Sequence, residues 1–328
     1  MDQELRLGTR GSQLALWQAN TVASRIAAAG GPPCRIVVIR TTGDRLHDAP
    51  LSEVGGKRLF VKEIEDALLR DEIDLAVHSS KDMPAVLPDD LAIGAVLPRE
   101  DPADAVVLPA RADRAEAIAT IEDLVAQLGR SPSIGTGSVR RIAQLTRLFP
   151  GAAFQPIRGN LDTRLRKLDE GAHDALVLAA AGLRRLGFAA RISFALPVEV
   201  CVPAPGQGIV AVEVRAADTP MLRLLGTIND EGSAAALTAE RALVQALGGG
   251  CQTPVGALAS PADGETLSLA AVVVALDGSR AVRGQARGPR AEAADLGTRL
   301  GAQLIADGAG EILADAHRAQ GAVEGIQP

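Results

Sequence analysis

The chain has 328 residues, 47% of them hydrophobic, a formal net charge of −6 and only 2% aromatic residues. That length suits two or three ordinary domains. The acidic balance excludes a general nucleic-acid binder, and so few aromatics leave no base-stacking platform.

No apolar run approaches the roughly 20 residues of a membrane span. The charged start Met1-Asp2-Gln3-Glu4 has no apolar signal core. Three cysteines, Cys34, Cys201 and Cys251, are too few and too scattered for a disulfide framework or a thiolate metal site. A cytoplasmic, reducing setting is therefore expected, with no metal.

In chain order, Leu5 to Thr9 reads as a strand, then Ser12 caps a helix over Gln13 to Ala29 with Gly30 as its stop. Arg35 to Thr41 is a β-branched strand. Thr42 to Arg58 is polar and aperiodic, and a stretch that long reads as a lid or a disordered loop. Leu59 to Arg70 is an amphipathic helix, and Asp74 to His78 a buried strand. A second α/β unit starts near Asp104, with strands at 133–136, 153–158 and 174–179 and helices at 139–148 and 161–170. Pro203-Ala204-Pro205-Gly206-Gln207-Gly208 reads as a crossover, and Ile209 to Arg215 as a strand able to return to the first sheet. From about Glu231 the pattern changes to a long helix, a glycine loop, two strands and C-terminal helices. Alternating strands and helices mean largely parallel sheets, with ligands at the carboxyl ends of the strands.

Three turns at such ends carry cations: Thr9-Arg10-Gly11-Ser12, His78-Ser79-Ser80-Lys81-Asp82, and Thr136-Gly137-Ser138-Val139-Arg140-Arg141. Arg140 and Arg141 occupy the first turn of a helix, where the macrodipole disfavours cations and the free N–H groups favour an anion. They are either solvated surface charges or the partners of an anionic ligand. Arg158, Arg164, Arg184 and Arg185 follow at further turns, and together these arginines fit a cleft for a polyanion, either phosphate or polycarboxylate. Asp82 beside Lys81 suits charge stabilisation or proton transfer, or else a plain Asx turn. His78 is either a base or a satisfied core histidine. Cys251 stands in Gly248-Gly249-Gly250-Cys251-Gln252-Thr253-Pro254, a flexible setting for a thiol that holds or attacks something.

These motifs resemble the porphobilinogen deaminase (hydroxymethylbilane synthase) family of tetrapyrrole synthesis. The likeness runs through Thr9-Arg10-Gly11-Ser12 with Leu14-Ala15-Leu16-Trp17-Gln18-Ala19, Val54-Gly55-Gly56-Lys57 with Leu59-Phe60-Val61-Lys62-Glu63, and Ala76-Val77-His78-Ser79 with Lys81-Asp82. It continues through Arg99-Glu100-Asp101-Pro102, Arg158-Gly159-Asn160 with Thr163-Arg164-Leu165, Ala181-Gly182-Leu183, Gly206-Gln207-Gly208 and Gly249-Gly250-Cys251-Gln252.

The resemblance implies two doubly wound, periplasmic-binding-protein-like α/β domains plus a smaller α+β C-terminal domain. The expected bounds are 1–102 with 206–228, 103–205, and 229–328, the last carrying the cofactor cysteine. It implies stepwise head-to-tail condensation of four porphobilinogen molecules, with loss of ammonia, on a dipyrromethane cofactor joined to Cys251 by a thioether. Asp82 would be the catalytic carboxylate. Ser12, Lys81, Thr136, Ser138, Arg140, Arg141 and Arg164 would bind the cofactor. Arg10, Lys57, Ser79, Arg158, Arg185 and Gln207 would bind substrate, under a cover formed by the loop from about Thr42 to Arg58. The expected state is a monomer without nucleic-acid or membrane partners. Gly11 and Gly137 depart from the family pattern, and Gly137 removes a hydroxyl from the anion-binding turn. The competing readings are a two-domain anion-binding module, which would need neither Asp82 nor a reactive Cys251, and a phosphate-using transferase, which would want the glycine-rich phosphate loop that is missing here.

Overall fold

The computed structural model describes residues 4–41, 61–110, 118–248 and 253–324. Strand β1 (Leu5–Thr9) runs into α1 (Gln13–Ala28) through Ser12, whose hydroxyl accepts from the Ala15 N–H at 3.3 Å. This satisfies one of the orphan donors of the first turn. The helix buries Ala15, Gln18, Ala19, Val22 and Ile26 along one stripe. After it come β2 (Cys34–Val38), α2 (Lys62–Leu69), β3 (Leu75–Ser79) and β4 (Leu91–Val96).

The second run holds β5 (Asp104–Val107), α3 (Ile121–Leu128), β6 (Ser133–Gly135), α4 (Val139–Leu145), β7 (Ala153–Gln155), α5 (Leu161–Asp169), β8 (Ala175–Ala179), α6 (Ala180–Arg185) and β9 (Phe194–Ala195). Strand β10 (Val210–Arg215) and α7 (Thr219–Gly226) return to the first sheet. The last run is α8 (Glu231–Ala246), β11 (Val255–Pro261), β12 (Thr266–Val274), β13 (Ala281–Pro289), α9 (Ala293–Leu304) and α10 (Gly310–Glu324).

The two five-stranded sheets share one topology. The first has the order β2-β1-β3-β10-β4 and the second β7-β6-β8-β5-β9. In each, three parallel strands are followed by one antiparallel strand, β10 or β5, which is paired antiparallel to an edge strand. Each antiparallel strand enters directly from the other unit, so the chain crosses twice between the sheets. The crossings lie side by side. Glu100 N–H donates to Gly208 O at 3.0 Å, and Arg99 Nε donates to Gln207 O at 2.8 Å. Gly208 has φ +87°, and a Cβ there would stand 2.3 Å from Glu100 O, so only glycine permits this approach.

The third sheet is antiparallel, β11-β12-β13, and is covered by α8 and α9. Gly297 lets these helices meet: a Cβ there would lie 2.1 Å from Ala239 O. Glu240 of α8, fully buried, ties this unit to the crossings. It accepts from Arg99 Nη1 at 2.5 Å, Gly206 N–H at 2.6 Å and Ala259 N–H at 2.7 Å.

The expected alternation and the returning strand are present. Strands β4, β5, β9 and β11 and helices α3, α6 and α7 fall where periodicity assigns no element. All but β11, α3 and α7 are six residues or shorter, too brief to show a period. The helix expected to reach Leu148 ends at Leu145, and Leu148 N–H bonds Leu145 O in a tighter turn ahead of Pro150.

Candidate active site

A pocket at the carboxyl ends of β1 and β3 gathers Arg10, Ser12, Gln18, Ser79 and Asp82. The cap of α1 places Ser12, and a single 3₁₀ turn after β3, Ser80–Asp82, places Asp82. Asp82 is half-buried, and neither of its oxygens is bonded by another described residue. Its carboxylate is thus available to a ligand. Ser79 Oγ accepts from Gln18 Nε2 at 2.8 Å. Gln18 is absent from the expected site, yet a glutamine on the apolar stripe of α1 is a readable signal of a buried polar role.

Lys81 Nζ donates to Gln207 Oε1 at 3.3 Å, and Gln207 Nε2 donates in turn to Pro102 O at 2.7 Å and Asp104 Oδ1 at 2.9 Å. Asp104, fully buried at the start of β5, is the centre of this network. It receives Arg140 Nη1 at 2.6 Å on Oδ2 and Arg141 Nε at 2.9 Å on Oδ1. The two arginines also reach Val202 O at 2.7 Å and Val177 O at 2.9 Å. The anion inferred at the start of α4 is therefore, at least in part, the protein's own carboxylate. Burial alone would raise the Asp104 carboxyl. The charges of Arg140 and Arg141, with bonds from Arg140 and Gln207, outweigh that and hold it well below the usual carboxylate range.

Asp104→Asn is expected to destabilise the fold by about 3–5 kcal/mol, because two buried guanidiniums would lose their counter-charge. A denaturant melt at neutral pH measures this. The stabilisation from the native carboxylate is present above the ordinary carboxylate range and is lost as pH falls below it, so the two melts should converge in acid.

Ser138 caps α4, accepting from Arg141 N–H at 3.4 Å, and its own N–H donates to Thr136 Oγ1 at 3.3 Å. Arg164 donates through Nε to Gly159 O at 2.8 Å. Burial, then the like charges of Arg141 and Arg158, push its guanidinium below the ordinary value, and no described carboxylate offsets that push. Arg164 thus sits beside Arg141 and Arg158 with its own charge unbalanced by any described carboxylate. Arg185 donates from Nη2 to Gly208 O at 2.6 Å, and burial lowers it also, against a pull from Glu100. Lys57, Cys251 and the expected loop cover lie outside the described residues.

His78 resolves toward the core reading: it is buried, with Nε2 at 3.1 Å from Glu213 Oε2. Cys201 is buried and its thiol donates to Asp104 Oδ2 at 3.3 Å. Burial and the Asp104 charge push that thiol up to about 12. Among the described residues no group of three or more His, Cys, Asp or Glu could hold a metal, and no helix is long and apolar enough to cross a membrane.

Two family models match the chain: "Porphobilinogen deaminase, dipyromethane cofactor binding domain" over residues 5–223 and "Porphobilinogen deaminase, C-terminal domain" over residues 234–306. The chain belongs to the porphobilinogen deaminase family. Relatives named porphobilinogen deaminase are similar over nearly full length. The protein of Desulforudis audaxviator is 48% identical over 96% of this chain and 98% of its own. That of Syntrophobacter fumaroxidans is 44% identical, covering 97% and 99%, and that of Geobacter metallireducens 44%, covering 98% and 98%. Among solved structures, an ancestral cationic amino acid solute-binding protein is a distant likeness, 14% identical with a TM-score of 0.42 over 69% of this chain and 88% of that one. All the described residues of this site fall within the family's cofactor-binding region, residues 5–223.

Proposed function

We propose that the protein is a porphobilinogen deaminase, a transferase that condenses four porphobilinogen molecules head to tail, releasing ammonia each time, to give hydroxymethylbilane. The observation that carries this reading is a cleft where Asp82, bonded by no other described residue, stands with Arg10 and Ser12, in a chain of this family. Porphobilinogen bears two carboxylates, so each addition brings negative charge to that cleft. Arginine forks neutralise and orient such groups bidentately.

A dipyrromethane fits these residues. Arg141 and Arg164, with Arg158 beside them, form a cluster whose charge no described carboxylate balances at Arg164, and the acetates and propionates of two pyrroles would balance it. Ser12, Lys81, Thr136, Ser138, Arg141 and Arg164 would hold the group, while Arg140 supports them through Asp104. When bound, it supplies the nucleophilic pyrrole carbon on which the product grows. Cys251 is the thiol proposed to anchor it through a thioether. Cys201 is held protonated and buried, and burial also raises Cys34. Neither offers a ready thiolate.

Asp82 acts on the substrate. Loss of ammonia leaves the porphobilinogen ring short of electrons, and a carboxylate held close stabilises that charge and the pyrrole N–H. Arg10, Arg158, Arg185, Lys57, Ser79 and Gln207 are the proposed substrate contacts. The protein is proposed to work as a cytoplasmic monomer.

The reading is tested by incubating the purified protein with porphobilinogen and following ammonia release and porphobilinogen loss together. One ammonia per porphobilinogen consumed is the expected result. Binding without ammonia release would instead favour an anion-binding module.

A further inference from the structure

Trp17 is the only tryptophan of the chain, which has no tyrosine. It is 37% exposed, unusual for so large an apolar side chain. It lies on α1, whose Ser12, Leu14, Ala15 and Gln18 line the Asp82 pocket. Its ring does not face empty solvent: the guanidinium carbon of Arg185 stands 5.5 Å from the ring centroid. Arg185 comes from α6 of the second unit, and its Nη2 is already donated to Gly208 O in the crossing. One arginine therefore links three parts of the molecule: the helix that carries it, the crossing segment at Gly208 and, through the indole, the first unit.

We infer that Trp17 is a positioning residue for substrate capture: its indole face holds the Arg185 guanidinium at the cleft, oriented for an arriving porphobilinogen carboxylate. This rests on the proposed role of Arg185 in binding substrate. Arginine carries large rotamer freedom, and a side chain left loose must be ordered at the moment of binding. Two weak restraints, one carbonyl and one aromatic face, remove much of that disorder beforehand. The Arg185–Gly208 bond can persist while the remaining N–H groups turn to the ligand. Burial lowers the guanidinium and the Glu100 charge offsets this only in part, so a ligand carboxylate can complete the compensation.

The sole tryptophan makes the test direct. Holoenzyme is mixed with porphobilinogen in a stopped-flow instrument, and the tryptophan emission of wild type is compared with that of Arg185→Gln. Wild type should change emission within the first addition, and Arg185→Gln should show no such change. In steady state, Trp17→Leu should raise KM for porphobilinogen about two- to five-fold, the range of an exposed cation–π contact, with the loss carried in KM rather than in kcat. Trp17→Phe, which keeps an aromatic face, should restore most of it, and a thermal melt of each variant separates this from a folding defect. Wild-type KM in Trp17→Leu, or the same emission change in Arg185→Gln as in wild type, overturns the inference while leaving the Arg185 assignment standing if Arg185→Gln itself raises KM. Wild-type KM in Arg185→Gln removes that assignment and the inference with it.

Discussion

Asp82→Ala should lower kcat by roughly 100- to 10,000-fold, the span seen when a positioned proton-transfer group or a charge-stabilising group is removed. The protein should still fold and still carry its cofactor. The reason is structural: no described residue bonds the Asp82 carboxylate, so its removal breaks no buried network. This sets Asp82 apart from Asp104, which is wholly committed to Arg140, Arg141, Gln207 and Cys201. Single-turnover ammonia release, run beside a thermal melt, separates chemistry from folding. Near-normal turnover would show that Asp82 is a turn residue and that charge stabilisation comes from another group. Asp82→Asn sharpens the test, because it keeps the shape and hydrogen-bonding reach but not the charge. A loss comparable to that of the alanine variant is expected if charge is what matters.

Cys251→Ser should abolish the covalent cofactor and, with it, all sustained turnover. A serine hydroxyl is far less nucleophilic than a thiolate at neutral pH, and the two described thiols are raised by burial. Intact mass measures this. Wild type should exceed the mass of its sequence by two linked pyrroles, localised by peptide mapping to Cys251, and it should colour with acidic p-dimethylaminobenzaldehyde. The serine variant should show neither. A variant that still carries the pyrroles would move the anchor elsewhere. An unmodified wild type that gains the mass after incubation with porphobilinogen would be apoprotein able to build its own cofactor.

Much of the candidate site is legible residue by residue. Ser12 as a helix cap, Arg10 beside it and the turn that carries Lys81 and Asp82 follow from strand-to-helix grammar, and the structure brings Arg10, Ser12, Ser79 and Asp82 to one pocket. Asp104 is harder to read. A single carboxylate opening the apolar strand Asp104-Ala105-Val106-Val107 marks only a unit boundary in the sequence, though a charge leading a buried strand demands a partner. Gln18 and Glu240 are similar: each interrupts the apolar stripe of a helix, which says that a partner exists but not which one.

By itself, the order of residues determined the alternation of strands and helices, the caps and stops, the glycine crossover and the family. Each of these depends on interactions within a few residues or on motifs read in order. Only the tertiary structure decided what the arginines of α4 face. Arg140 lies 36 residues from Asp104, and Gln207 lies 103 residues from it. Helix-dipole reasoning asks for an anion at that helix start but cannot say whether it is a ligand or a carboxylate of the chain. The tertiary structure likewise decided that His78 belongs to Glu213 and that Arg185 rests on Trp17. The physical reason is range: capping and turn chemistry act over one helical turn, whereas the partner of a buried charge is chosen by whichever strand the sheet order brings alongside.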